Sequence, residues 1–545
     1  MTLILSVPEL STRTSAEIEL HPEKVKKWLE QLPLLNVAET GRKLFSALCA
    51  YNRVEFDDKL RWQLLELYRQ PIRQISHELM KQYIGLPLPL TDKHRGIAEL
   101  NRQFQMELAY GYKRIVLNTA DKPIALEIER ALRALATERA IRHLTEVLVV
   151  SYQVYSPIPL GVWREIHALY TNADMDGLLP MKVEDPLIRA VTSYGVDHAY
   201  KQALLLEFSN PYHLPTRAVG RVHHYLDRWA PLAQLTAATA VYNPTCQFLV
   251  DKENDRAGIA YTSNEVLERP DNFRLLNTTE LARQVHTQLT QLQNGQTPAA
   301  DGLNESFFLE AGQDLLRRLV SAWGVNPQRS YRRNQRSGLQ IEMAVGLDAI
   351  NYRLNGGQKF VVSSTLVGPM PHRMWANLLE KKKPAAEEKT PDVNLSTWDV
   401  DDESAGGLSI SKNGQIHTPV RVGDIIITRT PGEGNPWSIG VIRWAIGVTS
   451  AIVEVGIQRL APSAEPVVIK TVNAENKESD FLPALLLPEI RPLKLPQTLI
   501  THHGVYKPDH QVYMDNGLRL YKITPTRMIE ASHSFEQFQF DILDT

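Results

Sequence analysis

The chain has 545 residues, of which 43% are apolar, and a formal net charge of -2. At roughly 150 residues per domain this length predicts about three domains, and the nearly balanced charge excludes a protein that binds polyanions through its overall field. Cys49 and Cys246 are the two cysteines and lie far apart in the sequence, so neither a disulfide framework nor a zinc site is indicated.

The beginning of the chain, MTLILSVPEL, has a short apolar run but no basic leader, and Glu9 and Glu17 accompany it. It therefore makes a poor signal peptide. In the sequence, no stretch approaches the roughly 20 apolar residues that crossing a bilayer requires. We expect a cytoplasmic protein without an integral membrane segment.

From about Pro22 to Val320 the apolar residues recur at three- and four-residue spacing, as in EKVKKWLEQL and DKPIALEIERALRALATERAIRHLTEVLVVSYQVY. This period predicts amphipathic helices, and we assign residues 1–323 to a mainly helical domain, a bundle or a solenoid. No repeat of fixed length is evident. Two β-prone runs around a polar turn predict a possible hairpin at 246–263.

After Trp323 the sequence changes to short segments rich in Ile and Val and punctuated by glycine. They predict an antiparallel β-barrel at 324–465 with an inserted flexible loop at about 364–397, which contains the charged segment EKKKPAAEEKTPDVN. A C-terminal β-rich extension follows at 466–545, where the Asn516-Gly517 pair favours a hairpin with a type I′ turn. The predicted fold class is α+β multidomain.

Four arginines, Arg329, Arg332, Arg333 and Arg336, follow the helices without an acidic residue before Glu342. Alone, such a run is typical of a solvated basic face. An arginine fork can also donate two parallel hydrogen bonds to guanine O6 and N7 and stack on the purine, which lysine cannot do. A neighbouring arginine can pair with a phosphate. The run is therefore a candidate nucleotide-binding element.

The second candidate element is the Asp402-x-Ser404-x-x-Gly407 motif at the start of a predicted strand. The carboxylate of Asp402 can accept from the N1 and N2 hydrogens of guanine, which adenine does not present in the same way. The Ser404 hydroxyl can bond a base or a phosphate. Gly407 permits either a close backbone approach or a positive φ in a tight turn. Turns favour these residue types, so the motif alone is common by chance.

Together, in this order and within β-rich sequence, the two elements resemble the PilZ domain, a bacterial receptor module for cyclic di-GMP. The resemblance covers about residues 326–460 and includes VRVGDIIITR and WSIGVIRW. It implies that arginines of the segment before the barrel clamp the phosphates and guanines of the ligand. The Asp-x-Ser-x-x-Gly strand is then expected to supply the opposite side of the site.

The resemblance implies cyclic di-GMP-binding residues at Arg332, Arg333, Arg336, Asp402, Ser404 and Gly407. Arg332 and Arg336 match the two family arginines, Arg333 would assist them, and Arg329 matches no required position. About 65 residues separate the two motifs, around twice as many as in compact family members. The insertion at about 364–397 accounts for the excess. Whether the ligand binds as a monomer or as an intercalated dimer stays open.

Other candidate chemistry is weaker. His223-His224 and His502-His503 have no carboxylate or cysteine at a diagnostic metal-ligand spacing, and we expect satisfied or surface histidines. The sequence shows no Gly-rich phosphate loop and no nucleophile elbow. We therefore predict no catalytic residues, no metal and no cofactor, and we expect a protein that is not an enzyme.

These observations favour a cyclic di-GMP effector whose ligand changes how the barrel sits against the helical domain, which then presents or hides a surface for a protein partner. The alternative is a constitutive interaction scaffold with a vestigial barrel that binds no ligand. Single-stranded nucleic acid on the arginine run would require a broad basic face, which the balanced charge disfavours. We expect no nucleic-acid partner.

Overall fold

A computed structural model describes residues 3–11, 18–120, 127–188, 194–238, 246–261, 269–299, 301, 303, 306–324, 334–336, 338–363, 395–432, 434–449, 451–472, 479–489, 496–507 and 510–543. The chain divides into two compact units, Met1–Leu86 with Leu90–Gln328, and Pro87–Pro89 with Arg329–Thr545. Helices dominate the first unit, and the described part of the second contains two closed six-stranded β-barrels. The predicted α+β multidomain fold is confirmed.

Ten α-helices are described in the first unit: α1 (Pro22–Glu30), α2 (Val37–Asn52), α3 (Asp58–Met80), α4 (Asp92–Ala120), α5 (Glu127–Gln153), α6 (Val162–Met175), α7 (Val196–Phe208), α8 (Thr216–Trp229), α9 (Thr279–Gln293) and α10 (Phe307–Gly324). Side chains cap the N-termini of two of these helices. Asn36 Oδ1 accepts from the Glu39 amide at 3.1 Å before α2, and Asp57 Oδ1 accepts from the Leu60 amide at 2.9 Å before α3. Each bond satisfies an amide that the first helical turn leaves unpaired.

The helix α5 differs from the amphipathic helix that its sequence predicts. From Arg133 to Gln153 almost every residue is buried, including Glu138, Arg139 and Arg142. Buried charges are tolerated when they pair with one another, and these side chains do so, at 2.5 Å between Arg139 Nη1 and Glu138 Oε2 and 2.9 Å between Arg142 Nε and Glu138 Oε1. The helix α5 is therefore central to the unit, and the expectation of an exposed polar face is wrong for it.

A four-stranded antiparallel sheet also belongs to the first unit, in the order β1-β4-β2-β3. Its strands are β1 (Gln234–Ala237), β2 (Gln247–Asp251), β3 (Ile259–Ala260) and β4 (Phe273–Asn277). The strands β2 and β3 form a hairpin in which Phe248 pairs with Ala260. One face of the sheet joins the helical core, because Phe248 stacks on Phe208 with ring centroids 4.1 Å apart.

The first barrel of the second unit is formed by β6 (Gln340–Val345), β7 (Ser396–Ser404), β8 (Gly407–Asn413), β9 (Ile425–Arg429), β10 (Ser438–Gly447) and β11 (Ile452–Ala461). The order β7-β6-β9-β10-β11-β8 closes through pairing of β7 with β8, and the short strand β5 (Asn334–Gln335) adds to β7. The helix α11 (Leu347–Leu354) follows β6. The insertion predicted at about 364–397 falls outside the described residues, except for 395–397, which already lead into and begin β7.

The second barrel has the order β12-β13-β14-β17-β16-β15, all antiparallel. Its strands are β12 (Glu465–Thr471), β13 (Leu482–Leu487), β14 (Thr498–Thr501), β15 (Val512–Asp515), β16 (Leu520–Ala531) and β17 (Glu536–Ile542). The predicted hairpin joins β15 to β16, but the type I′ turn is wrong. Asp515 pairs with Leu520, so four residues form the loop, and Asn516 Oδ1 accepts from the Arg519 amide at 2.9 Å.

The two barrels share a hydrophobic core. Ile350 of α11, Ile427 of β9 and Leu485 of β13 belong to the same buried cluster. Polar contacts add to it, since Arg443 of β10 pairs with Glu530 of β16 through both of its terminal nitrogens. In the described ranges, no helix is both long and apolar enough to cross a bilayer.

Candidate nucleotide-binding site

Backbone pairing brings Arg336 to the Asp-x-Ser-x-x-Gly strand. In the short strand β5, Gln335 lies opposite Asp402 and Asn334 opposite Glu403 of β7. The Arg336 amide then donates to the Asp401 carbonyl at 3.0 Å, and its guanidinium Nε lies 3.4 Å from Glu403 Oε2. The C-terminal end of the arginine run and the second motif are thus neighbours in space although the insertion separates them in sequence.

The carbonyl that accepts from Arg336 belongs to a β-bulge. Val400 pairs with Ile410 and Asp402 with Ser409, so β7 has one extra residue, Asp401, between these pairs. A bulge bends the strand and turns the extra residue away from the regular ladder. The carboxylate of Asp401 is held by the Ser411 hydroxyl at 2.8 Å. The bulge therefore offers β5 a hydrogen-bonding point just before Asp402.

The motif itself forms the tight turn between β7 and β8. Ser404 pairs with Gly407 across the turn, and the Ser404 hydroxyl donates to the Gly407 carbonyl at 3.2 Å. At Gly407 a Cβ atom would lie 2.1 Å from the Ile457 carbonyl oxygen. Of the two reasons for glycine that the sequence left open, the structure supports the close backbone approach, because Gly407 is not among the glycines with a positive φ.

A further arginine, which the sequence analysis missed, holds this turn. Arg459 of β11 donates through Nη1 to the Ser404 carbonyl at 2.8 Å and through Nη2 to Glu403 Oε1 at 2.5 Å. The hydrogen bond from Arg459, with a smaller contribution from the charge of Arg336, holds the pKa of Glu403 below its ordinary value, although partial burial opposes it. Arg459 lies more than fifty positions after the motif, so only the pairing of β8 with β11 could have revealed it.

Asp402, Ser404 and Gly407 are partly buried along one hairpin, while Arg336 is exposed beside it. Arg332 and Arg333, as well as the unassigned Arg329, lie outside the described residues. The structure therefore juxtaposes Arg336 with the second motif and describes no geometry for the other arginines. The binding role of these residues stays a prediction.

The histidine pairs have carboxylate neighbours, although His223 Nε2 is buried without a hydrogen-bond partner among the described residues. His502 Nε2 lies 2.9 Å from Asp348 Oδ1, and His223 Nδ1 lies 3.7 Å from Glu146 Oε1. Within the described parts of the chain, no group of three or more His, Cys, Asp or Glu side chains is arranged to hold a metal ion.

A cluster of buried charges in the helical unit was also not anticipated from the sequence. Asp185 Oδ2 lies 2.5 Å from Arg69 Nη2 and 3.1 Å from Arg139 Nη1. Although burial alone would raise the pKa of Asp185, the charges of Arg69 and Arg139 hold it below its ordinary value. The members come from α3, α5 and the segment after α6, so no local sequence pattern connects them.

Comparison with known proteins places this architecture in a family. Residues 23–240 match the N-terminal domain of the cyclic-di-GMP receptor FimW, residues 247–368 and 370–466 match its middle PilZ domain, and residues 467–543 match the FimW C-terminal β-barrel domain. The cyclic-di-GMP receptor FimW of Pseudomonas aeruginosa is 26% identical over 581 aligned positions, which cover 99% of this chain and 93% of that protein. Since the three domain matches follow one another along nearly the whole chain, this protein belongs to the FimW family and contains its PilZ domain.

Proposed function

We propose that this protein is a cyclic di-GMP-binding effector whose ligand lies against the first barrel, between Arg332, Arg333 and Arg336 on one side and Asp402, Ser404 and Gly407 on the other. The observation that carries the proposal is the pairing of β5 with β7, which makes Arg336 a neighbour of Asp401, Asp402 and Glu403. Membership of a family whose named member is a cyclic-di-GMP receptor supports the same ligand.

The Arg336 guanidinium is held weakly enough for a ligand to displace its present partner, Glu403. Its guanidinium is about half exposed (49%) and lies 3.4 Å from the partly exposed Glu403 carboxylate. An ion pair in such a setting contributes at most about 1 kcal/mol, so exchanging Glu403 for a phosphate oxygen costs little. Glu403 keeps its second partner, Arg459, after the exchange. Glu403 thus orients Arg336 in the absence of the ligand, but the ion pair is weak enough to be replaced by a contact with the ligand.

The proposed response follows from the position of the arginines in the chain. Residues 325–333 connect α10 of the helical unit to β5 of the barrel, and Arg332 and Arg333 belong to this connection. A ligand held jointly by these arginines and by β7 fixes the connection and thereby changes the orientation of the helical unit. The helical unit is then the part that binds a protein partner.

Titration calorimetry with cyclic di-GMP, cyclic di-AMP and GTP tests the ligand. We expect saturable binding of cyclic di-GMP at micromolar or lower concentration and at least tenfold weaker binding of the other two, because Asp402 reads guanine and two linked guanines engage two sets of contacts. Absence of binding for all three would contradict the proposal and favour a scaffold. Unchanged scattering curves and unchanged hydrogen exchange over residues 320–340 with saturating ligand would contradict the conformational response alone.

A further inference from the structure

A long groove in the helical unit has no role in the function proposed above. It encloses about 1680 Å³ and is lined from α3, α4, α5 and α8 together with Leu34, Leu35 and residues 186–188. Pockets for single small ligands usually enclose about 300–1,000 Å³. The groove is therefore larger than one small molecule fills, and its size suits a segment of polypeptide.

The groove has an excess of basic side chains. Against Glu78, Glu146 and Asp227, its lining contains Arg69, Arg73, Lys81, Arg142, Arg217 and Arg221. Arg69 and Arg142 are engaged with the buried carboxylates Asp185 and Glu138. Arg73 of α3 and Arg217 of α8 are exposed, and neither has a carboxylate partner among the described residues. Arg73 Nη1 donates to the Leu187 carbonyl, and the remaining N–H groups of Arg73 and Arg217 can pair with an acidic ligand.

Apolar side chains lie beside these charges. Ile72, Val149 and Phe307 line the interior of the groove, and Leu34 and Leu35 lie at its edge. Leu35 is fully exposed and its neighbour Leu34 is also exposed, so two adjacent leucines face solvent beside the groove. A ligand that covers this edge therefore has apolar groups as well as negative charge.

The wall of the groove contains buried polar atoms without a hydrogen-bond partner among the described residues. Asn101 Oδ1, Arg142 Nη2 and His143 Nε2 are such atoms, on side chains of residues that are 3%, 7% and 7% exposed. Buried polar groups are nearly always paired in proteins, so this set points to a missing ligand. Asn101 Oδ1 needs a donor and Arg142 Nη2 needs an acceptor. A peptide main chain supplies both, whereas a fully deprotonated anion such as sulfate supplies acceptors alone.

We propose that this groove binds a segment of a protein partner that combines acidic side chains with leucine- or phenylalanine-like ones. The acidic groups pair with Arg73 and Arg217, the apolar groups cover Leu35 and Phe307, and the main chain reaches Asn101 and Arg142. The inference rests on the proposed effector role, since it names the surface through which the helical unit takes its partner. The surface itself lies entirely within one unit.

Selection from a phage library of random peptides about 15 residues long tests the inference. The full-length protein is the bait. Peptides that also bind the Arg73→Glu/Arg217→Glu double variant are discarded, because they bind outside the groove. We expect enrichment of peptides with Asp or Glu next to Leu or Phe. A synthetic copy of the most enriched peptide should bind the wild type at least about tenfold more tightly than the double variant, measured by fluorescence anisotropy. The peptide should also slow hydrogen exchange in residues 216–229.

The matched control is Arg317→Glu, an exposed arginine of α10 outside the groove, which should bind the peptide like the wild type. Circular dichroism and cyclic di-GMP titration of all variants separate this test from folding and from the nucleotide site. Failure to enrich any peptide, enriched peptides without acidic residues, equal loss with Arg317→Glu, or complete displacement of the peptide by millimolar phosphate would each overturn the proposal. If the wild type binds the peptide but does not bind cyclic di-GMP, the proposed function is contradicted and the groove assignment is not.

Discussion

The contacts of individual residues explain why the Asp-x-Ser-x-x-Gly motif has its composition. At Gly407 the backbone of β8 approaches the Ile457 carbonyl so closely that no Cβ atom fits, with 2.1 Å between their positions. Real Cβ atoms do not approach an oxygen that closely, so the strand would have to move. The glycine therefore serves the pairing of β8 with β11, and the hydroxyl of Ser404 ties the same turn together.

Replacement of Gly407 with alanine tests this explanation. The added methyl forces β8 away from β11, and we expect the free energy of unfolding of the barrel unit to fall by about 1–3 kcal/mol in urea denaturation. The control is Gly96→Ala in α4, where no atom beyond the adjacent residues and the helix's own backbone lies within 4 Å of the new Cβ. That change should leave stability equal or raise it by up to about 1 kcal/mol. Equal effects of the two changes would refute the account of Gly407.

Arg459 is expected to position the site rather than to stabilise the fold. Its side chain is about one-third exposed (32%), so its ion pair with Glu403 adds little to stability, yet it fixes both Glu403 and the Ser404 carbonyl. Arg459→Ala should weaken cyclic di-GMP binding about fivefold in calorimetry while changing the free energy of unfolding by less than about 1 kcal/mol. Arg459→Lys should restore part of the affinity, because lysine keeps the charge but loses the fork. Unchanged affinity in the alanine variant would rule out a positioning role.

Among the elements, α11 connects the two barrels. Its apolar face joins the core that both barrels share, through Leu347 and Ile350. Asn351 on the same helix is buried, and its Nδ2 group donates to the carbonyls of Val467 and Ala484, each at 2.8 Å. These carbonyls belong to β12 and β13, so one side chain of the first barrel's helix satisfies two acceptors of the second barrel.

Loss of this link should destabilise the barrel unit. Asn351→Ala removes two hydrogen bonds and leaves two carbonyls without a donor, and we expect the free energy of unfolding to fall by about 2–4 kcal/mol in urea denaturation. Asn355→Ala at the end of α11 removes a single exposed bond to the Gln358 carbonyl and should cost less than about 1 kcal/mol. If the two variants unfold at the same urea concentration, the assigned role of Asn351 is incorrect.

Local sequence patterns predicted the helices and strands correctly more often than they predicted turn types or which faces are buried. The Asn516-Gly517 pair predicted a hairpin in the C-terminal segment, but the type of turn depends on how Asp515 and Leu520 pair, which the Asn-Gly pair does not determine. The period of α5 predicted a helix, yet its polar face is buried because Glu138 and the distant Asp185 pair with its arginines. Of the proposed site, the motif residues could be predicted from their residue types and from the resemblance to the PilZ domain, whereas Arg459 required knowledge of the strand order.

At the scale of the whole molecule, buried histidines are expected to make the helical unit sensitive to acid. Burial lowers the pKa of His167 to about 4, and burial together with the charge of Arg142 lowers that of His198 to about 4. The contacts of His167 suit a neutral ring, since Nε2 lies 2.9 Å from the Arg256 carbonyl and Nδ1 lies 2.7 Å from the Tyr200 hydroxyl. His198 Nε2 lies 3.3 Å from the Leu226 carbonyl. In the unfolded chain these histidines are solvated and have their ordinary pKa of about 6.5.

Between pH 6.5 and pH 4 the unfolded chain therefore binds protons that the folded unit does not, and stability falls as the pH falls. At pH 5 we expect a loss of about 2 kcal/mol for each of these two histidines relative to pH 7. His143 adds to this loss, because burial also lowers its pKa well below the ordinary value. Burial raises the pKa of Glu207, which opposes part of this loss. Urea denaturation at both pH values measures the difference, and His198→Gln should reduce it by about 2 kcal/mol. A stability independent of pH in this range would contradict the neutral assignment.

The central claim is that cyclic di-GMP binds between the arginines before β5 and the β7–β8 hairpin. Titration calorimetry of the wild type, Arg336→Ala and Asp402→Ala tests it most directly, with Arg421→Ala, an exposed arginine of the same unit outside both motifs, as the matched control. We expect each site variant to weaken binding at least about tenfold, corresponding to about 1.4 kcal/mol, and the control to bind like the wild type. Wild-type affinity for cyclic di-GMP in both Arg336→Ala and Asp402→Ala would contradict the site.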